Sequence, residues 1–367
     1  MKKHRIRVGL DVDDTLYSCN AYALSLINSR HPDEPPITIN EITGWGRYGR
    51  RADERIALYG DPEFVRTQPI LPGAQKLVRE LNKFADVFFI TAVPAQCMSA
   101  RAERLIADFP EIPSQNIIIG TRKDVIALDI LLDDAAHNIA NSRATYPVLL
   151  RQPWNTHLSG LLSVNSYEDF LHVCKLVRSS FTEKAPDLSG GGVVCLVGPT
   201  GTFKNEIAAL LTQNERFERP VTTTTRPRRT GEDEHAYRFL TDEEFLRERD
   251  EGRYIETTVY SRYHFATSFE AIEPIVTRGH CAVIPIDICG AVTIKNLFKN
   301  RAMLVFTNRS REEVLLSVVQ RALPDEDKVR RILALEYEYR NVQWCDAELD
   351  VGSDPADAAA RLAAMLS

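Results

Sequence analysis

The chain has 367 residues, 44% hydrophobic and 26% charged, which fits a folded protein of two domains and excludes bulk disorder and collagen-like repeats. Lys+Arg number 45 against 51 Asp+Glu, a net charge of −6, so a long nucleic acid is not an expected partner, whereas a small phosphorylated ligand needs only a local basic pocket. The seven cysteines form no C-x-x-C pair and are odd in number, which argues against a disulfide framework or a zinc ribbon and for a reducing, cytoplasmic setting.

The N-terminus runs straight into a strand, with no apolar segment of a signal peptide, and no apolar run approaches the length of a membrane span. Residues 6–10 read as a short buried strand. A polar, mostly helical insert from about 17 to 72 has the composition of a cap over a site. Tyr17, Trp45 and Tyr48 in it read as base-stacking residues or, better, as ordinary cap packing. Residues 74–84 have helical periodicity, 87–90 form an apolar run, and 95–108 are helical again. Strands follow at 117–119, 129–132 and 146–150, then an amphipathic helix at 167–178. Repeated β-α units of this kind predict an α/β fold with an open parallel sheet covered on both faces. Residues 181–192, with one Pro, three Gly and both charge signs, predict a flexible linker. A second β-loop-α pattern starts at once, with a strand at 193–197 and a helix at 204–211. The expected division is therefore 1–180, a linker at 181–192, and 193–367.

The first strand ends in Asp11-Val12-Asp13-Asp14-Thr15. Ligands of open α/β sheets bind at the carboxyl ends of strands, and residues two apart on an extended segment point the same way, so Asp11 and Asp13 can share one site. Carboxylates there can hold Mg²⁺, and one can attack phosphorus. Thr91, closing the next strand, is a suitable phosphate donor. Lys123 can neutralise a transferring phosphoryl group, and Asp133 and Asp134 at a further strand end can complete a metal site.

In these motifs, and in Leu71-Pro72-Gly73-Ala74 and Gln152-Pro153-Trp154-Asn155, residues 4–178 resemble the haloacid dehalogenase superfamily, closest to its 5′(3′)-deoxyribonucleotidases and 5′-nucleotidases. The resemblance implies Asp11 as nucleophile and Mg²⁺ ligand, Asp13 as general acid/base within the metal site, Thr91 and Lys123 as phosphate-binding residues, and Asp133 as Mg²⁺ ligand with Asp134 in support. Asp14 stands where many relatives have Gly.

The second strand leads into Gly198-Pro199-Thr200-Gly201-Thr202-Phe203-Lys204-Asn205, a partial match to the phosphate loop G-x-x-x-x-G-K-[ST]. Phe203 takes the place of the loop's second Gly, and Asn205 that of the Mg²⁺-binding hydroxyl. A benzyl group there is expected to distort the loop and weaken ATP binding. The stretch from Thr222 through Arg226, Arg229 and Tyr237-Arg238-Phe239 to Glu256, Thr267 and Asp287 resembles guanylate kinases over roughly 193–366. The resemblance implies Gly198, Gly201, Lys204 and Asn205 at the ATP phosphates, with Thr222, Arg226, Arg229 and Tyr237 on the monophosphate. It further implies Glu256 as base reader, Thr267 as a base-contacting hydroxyl and Asp287 as a remaining ligand-facing residue. Arg321, Arg330 and Arg331 read equally as lid arginines over the ATP phosphates or as residues of a surface helix. Departures include Phe265 for a phosphate-binding Tyr, Ala266 for Gly, and Pro285 for an aspartate.

Three functions compete. The first is a Mg²⁺-dependent nucleotidase fused to a nucleoside-monophosphate kinase that uses ATP. The second is a nucleotidase with a guanylate-kinase-like binding module that has lost phosphoryl transfer. The third, least favoured, is a polynucleotide end-processing phosphatase and kinase. The expected partners are (deoxy)nucleoside monophosphates and ATP, with no membrane, and a homo-oligomer is left open. Opposed activities imply different substrates for the two halves, which suits remodelling of a nucleotide pool, in a cell or by a virus.

Overall fold

A computed structural model describes residues 5–43, 50–180, 185–228, 237–260 and 263–366. The chain divides into two compact units, residues 1–158 with 162–181, and residues 159–161 with 182–367. Each is an α/β layer structure.

In the first unit the strands are β1 (Ile6–Leu10), β2 (Ala85–Thr91), β3 (Ile117–Ile119), β4 (Ile130–Asp133), β5 (Tyr146–Leu150) and β6 (Ser163–Val164). They pair in parallel in the order β3-β2-β1-β4-β5-β6. The helices are α1 (Asn20–Arg30), α2 (Glu54–Leu58), α3 (Pro62–Thr67), α4 (Ala74–Asn82), α5 (Met98–Asp108), α6 (Ala136–Asn141) and α7 (Tyr167–Ser180). The helix expected from residue 95 opens as a single 3-10 turn, Ala95–Cys97, before α5 begins. Because β1 is flanked by β2 and β4, the order in which strands are added switches sides beside it, and the carboxyl ends of all three parallel strands meet at one edge.

The insert between β1 and α4 carries α1, α2 and α3 around its own apolar cluster of Leu24, Ile27, Ile42, Leu58 and Phe64. Its two stems are pinned together where Ser18 N–H donates to the Pro69 carbonyl (2.8 Å) and Leu71 N–H to that of Leu16 (2.8 Å). Tyr17 is 1% exposed, and its hydroxyl donates to Asp108 Oδ2 at 2.8 Å. It is a packing residue. Trp45 and Tyr48 lie outside the described residues.

The second unit opens with β7 (Gly192–Val197), α8 (Lys204–Leu211), β8 (Phe217–Glu218), β9 (Thr223–Thr224), β10 (Arg238–Phe239), α9 (Asp242–Asp250), β11 (Tyr254–Tyr260) and β12 (Tyr263–Ser268). It continues with α10 (Phe269–Thr277), β13 (Cys281–Pro285), α11 (Ile288–Phe298), β14 (Ala302–Asn308), α12 (Arg311–Gln320), α13 (Asp325–Arg340), β15 (Ala347–Asp350) and α14 (Pro355–Met365). A parallel sheet runs β15-β14-β7-β13-β8, and a smaller mixed sheet runs β10-β9-β12-β11. The unbroken apolar run of β7 is buried at every position, as a central parallel strand requires. The stretch before it differs from the flexible linker expected there. Leu188 is buried among Val194, Leu196 and Phe217, and Asp187 N–H donates to the Asn300 carbonyl at 2.7 Å. One apolar side chain and one backbone bond tie down residues whose composition reads as loose. Among the described residues no helix is long and apolar enough to cross a membrane, and all seven cysteines are free.

Candidate active sites

At the switch edge of the first unit, Asp11, Asp133 and Asp134 bring carboxylate oxygens within 4.8 Å of one another, all buried. Lys123, in a 3-10 turn after β3, donates to Asp11 Oδ1 at 2.5 Å and Asp133 Oδ2 at 2.8 Å. Burial and the neighbouring Asp133 push Asp11 up to about 7. Burial pulls the Lys123 amine down, but the two carboxylates outweigh it and hold the amine charged well above its ordinary range. Burial also drives Asp134 far up, with Asp11 and Asp133 adding to it. Three clustered buried carboxylates, two of them paired with a single amine, are short of positive charge. Oxygen donors in this number suit a hard divalent cation such as Mg²⁺.

The surrounding shell fixes the ligands. Asn138 Nδ2 donates to both oxygens of Asp133 (3.0 and 2.9 Å), the Ala135 N–H to Asp133 Oδ1 (2.9 Å), and Trp154 Nε1–H to Asp134 Oδ2 (2.9 Å). Gln152 and Asn155 bond the backbone carbonyls of Asp14 and Asp134 at 2.8 Å each, which gives the Gln152–Asn155 motif its use. Asp14 has φ 52, the left-handed region that Gly enters without cost. Its carboxylate offsets that strain by accepting from the N–H groups of Cys19 (2.9 Å) and Asn20 (3.0 Å) at the start of α1.

Asp13 does not join the metal group, contrary to its expected place there. Its carboxylate turns away and accepts from Arg101 Nη2 (2.7 Å) and Gln68 Nε2 (3.0 Å). Arg101, on the inner face of α5, is 1% exposed. Its Nε and Nη1, with the buried hydroxyls of Thr15 and Thr91, have no partner among the described residues. Unsatisfied buried donors are costly. The sequence reading missed Arg101. The signal was an arginine beside Ala100 and Leu105 on the apolar side of a helix.

The second unit holds a cleft of about 870 Å³ with the phosphate loop on one wall. Gly198 and Gly201 have φ 149 and 95, and a Cβ on Gly198 would sit 2.5 Å from the Thr307 carbonyl oxygen. Lys204 Nζ donates to the carbonyls of Gly198 (2.5 Å) and Pro199 (2.7 Å). Burial lowers its amine to about 8, with Glu338 acting the other way. Phe203 fills the position that the pattern gives to glycine. It adopts φ 56, the conformation a glycine would supply, packs on the core beside α8, and lies under the Arg309 guanidinium at 4.6 Å. A left-handed non-glycine residue costs about 1–2 kcal/mol, which this packing and cation–π contact offset. Asn205 Oδ1 accepts from Arg219 Nη2 at 3.1 Å.

The cleft is also lined by Thr222, Arg226, Tyr237, Glu256 and Thr267. The Arg226 guanidinium stacks 5.5 Å from the Tyr237 ring and 5.7 Å from that of Phe239. Thr267 Oγ1 donates to Glu256 Oε1 at 2.9 Å. Burial, and then Asp287, raise Glu256 to about 8. Asp287 caps α11 through the Gly290 N–H (2.8 Å) and accepts from Thr258 Oγ1 (2.6 Å). Arg321 and Arg331 line the cleft, and Arg331 Nη1 donates to Thr200 Oγ1 at 3.0 Å. Arg330 instead pairs with Asp327 at 3.4 Å on the outer face of α13, so it is a surface residue. Arg229 lies outside the described residues. Tyr263, Arg219 and Glu338 also line the cleft and were not singled out. Tyr263 shares a strand face with Phe265 by two-residue alternation, a signal the sequence did contain.

Residues 4–179 match the family described as 5′ nucleotidase, deoxy (Pyrimidine), cytosolic type C protein, and residues 191–358 match the guanylate kinase family. A guanylate kinase of Oleidesulfovibrio alaskensis is 32% identical over 161 residues, 43% of this chain and 78% of that protein. A 5′(3′)-deoxyribonucleotidase of Bacillus subtilis is 24% identical over 165 residues, 44% of this chain and 94% of that protein. The crystal structure of guanylate kinase from Anaplasma phagocytophilum is 24% identical with a TM-score of 0.39, covering 48% of this chain and 85% of that one. The chain belongs to the guanylate kinase family through its C-terminal half, which is fused behind an N-terminal domain of the deoxy 5′-nucleotidase type.

Proposed function

We propose that the chain is a bifunctional nucleotide enzyme, hydrolysing (deoxy)nucleoside monophosphates with its first unit and phosphorylating a monophosphate from ATP with its second, in a reducing cytoplasmic setting. The observation that carries the first activity is the buried cluster of Asp11, Asp133 and Asp134, with Lys123 paired to Asp11 and Asp133. Asp11 attacks phosphorus, the bond to the nucleoside oxygen breaks, and that oxygen takes a proton from Asp13, which Arg101 and Gln68 hold in place. Asp13 then removes a proton from the water that releases phosphate from Asp11. Thr15, Thr91 and Lys123 hold the phosphate oxygens. A Mg²⁺ ion held by Asp11, Asp133 and Asp134 would supply positive charge against the phosphate.

In the second unit, an oxygen of the acceptor monophosphate attacks the γ-phosphorus of ATP, and ADP leaves. Lys204, with Arg321 and Arg331, holds the donor phosphates. Arg226, Arg229, Tyr237 and Thr222 hold the acceptor phosphate, and Glu256 with Thr267 reads its base. A binding module without transfer is the second reading, favoured by the loss of the loop hydroxyl at Asn205. Because the two reactions oppose each other, each half takes a different nucleotide. The test is a panel of all (deoxy)nucleoside monophosphates with Mg²⁺, with and without ATP, scoring free phosphate and ADP separately. ADP formation that depends on a monophosphate supports the kinase, and tight monophosphate binding with no ADP across the panel removes it. Proteolysis that first cuts within 181–187 and leaves two stable halves supports separable units.

A further inference from the structure

The donor side of the C-terminal cleft lacks the side-chain hydroxyl that the phosphate-loop pattern gives to a magnesium ion. The phosphate-loop pattern supplies a hydroxyl after its lysine to bind that ion. Here the position is Asn205, and its one side-chain oxygen already accepts from Arg219 Nη2 at 3.1 Å. Pro285, which also lines the cleft, has no side-chain oxygen, and of the carboxylates in the lining Glu338 interacts with Lys204 while Asp287 caps α11. Among the described residues the one group of three acidic side chains close enough to hold a metal lies in the other unit.

Arg219 is well placed to compensate. It follows β8 and lines the cleft beside Asn205. Pro220 restricts its backbone to extended conformations, so the side chain leaves from a stiff stem. Its planar guanidinium can grip two phosphate oxygens at once, and unlike an ammonium it stays charged at any working pH. We propose that Arg219 takes the place of the divalent cation at the donor phosphates, so that this cleft binds a nucleoside triphosphate on Lys204 and Arg219 without Mg²⁺. The inference rests on the reading of the second unit as an ATP-binding cleft.

The test is calorimetry on the full chain with the non-hydrolysable triphosphate β,γ-imido-ATP, in excess Mg²⁺ and in EDTA. The dissociation constants should agree within about threefold in the two buffers. Arg219→Ala should weaken binding about tenfold or more in both, the scale of a lost charge-assisted hydrogen bond, and Arg219→Lys should restore part of it. Arg219 is exposed, and melting curves would show that the variants fold. A tenfold tightening by Mg²⁺ overturns the proposal, and so does an Arg219→Ala chain that stays within twofold of the parent. Lys204→Ala separates the two levels. If the triphosphate still binds as before, the ATP-cleft reading has failed. If binding collapses there but depends on Mg²⁺ or ignores Arg219, only the arginine substitution for metal has failed.

Discussion

At the first site, one lysine pairs with two of three clustered buried carboxylates, and the third accepts only from Trp154 among the described side chains. The second site is an open cleft whose walls already carry Lys204, Arg219, Arg226, Arg321 and Arg331. Both face the same ligand chemistry, a phosphate. On the proposed reading, the carboxylate site takes up a cation before a phosphate approaches and then offers Asp11 as its nucleophile. The cleft brings positive charge of its own and, on the same reading, aligns one phosphate against another. Charge placement, more than fold, separates a hydrolase from a transferase here.

The comparison breaks most visibly at Asp11. Asp11→Asn replaces the nucleophile with an amide and should cut phosphate release by about 10⁴-fold or more, while monophosphate-dependent ADP formation stays within twofold. Retained phosphate release would show that the cluster is not the catalytic centre. The converse change, Lys204→Ala, should lower ADP formation by about 10²–10³-fold and leave phosphate release alone, as read by coupled assays on the same preparation. Arg226→Ala removes one charged grip on the acceptor and should raise the monophosphate KM about 10- to 100-fold. A larger fall in kcat than rise in KM would mean that Arg226 serves the transition state instead.

Smaller effects sharpen the picture. Glu256 has its acidity shifted to about 8 by burial and then by Asp287, so it is ionised only above that pH. A base that donates N–H groups to it should bind about tenfold more tightly at pH 9 than at pH 7, and Glu256→Gln should abolish the dependence. For folding the sign is opposite. The unfolded side chain releases its proton near 4.5 while the folded chain keeps it. Stability therefore falls as pH rises from about 4.5 to 8, and Glu256→Gln should flatten that slope in denaturant titrations. Smallest of all, Phe203→Gly keeps the left-handed turn and should change ATP affinity by less than about threefold. A tenfold gain would show that the benzyl group does obstruct the loop.

Much of this was legible in the sequence because strand ends and their polar residues sit close together in the chain. Asp11, Thr91, Lys123 and Asp133 each close or follow a parallel strand, and topology alone brings them to one edge. Lys204 and the strand before it were legible for the same reason. What escaped were side chains whose partners are far away in sequence. Arg101 meets Asp13 across 88 positions, and Leu188 fills a core gap among residues of three strands. The Arg309 guanidinium over Phe203 comes from more than a hundred residues later. Local composition cannot register an interaction that only folding creates.

Gln68 closes α3 of the helical insert and donates to Asp13 at 3.0 Å, while Arg101 bridges the same two residues from below, at 2.7 and 3.1 Å. One of the two groups that hold the Asp13 carboxylate thus belongs to the helical insert and the other to α5 of the body. Under the proposed mechanism the nucleophile rests on the sheet alone, whereas the orientation of the acid depends on the insert and the body keeping this shared contact.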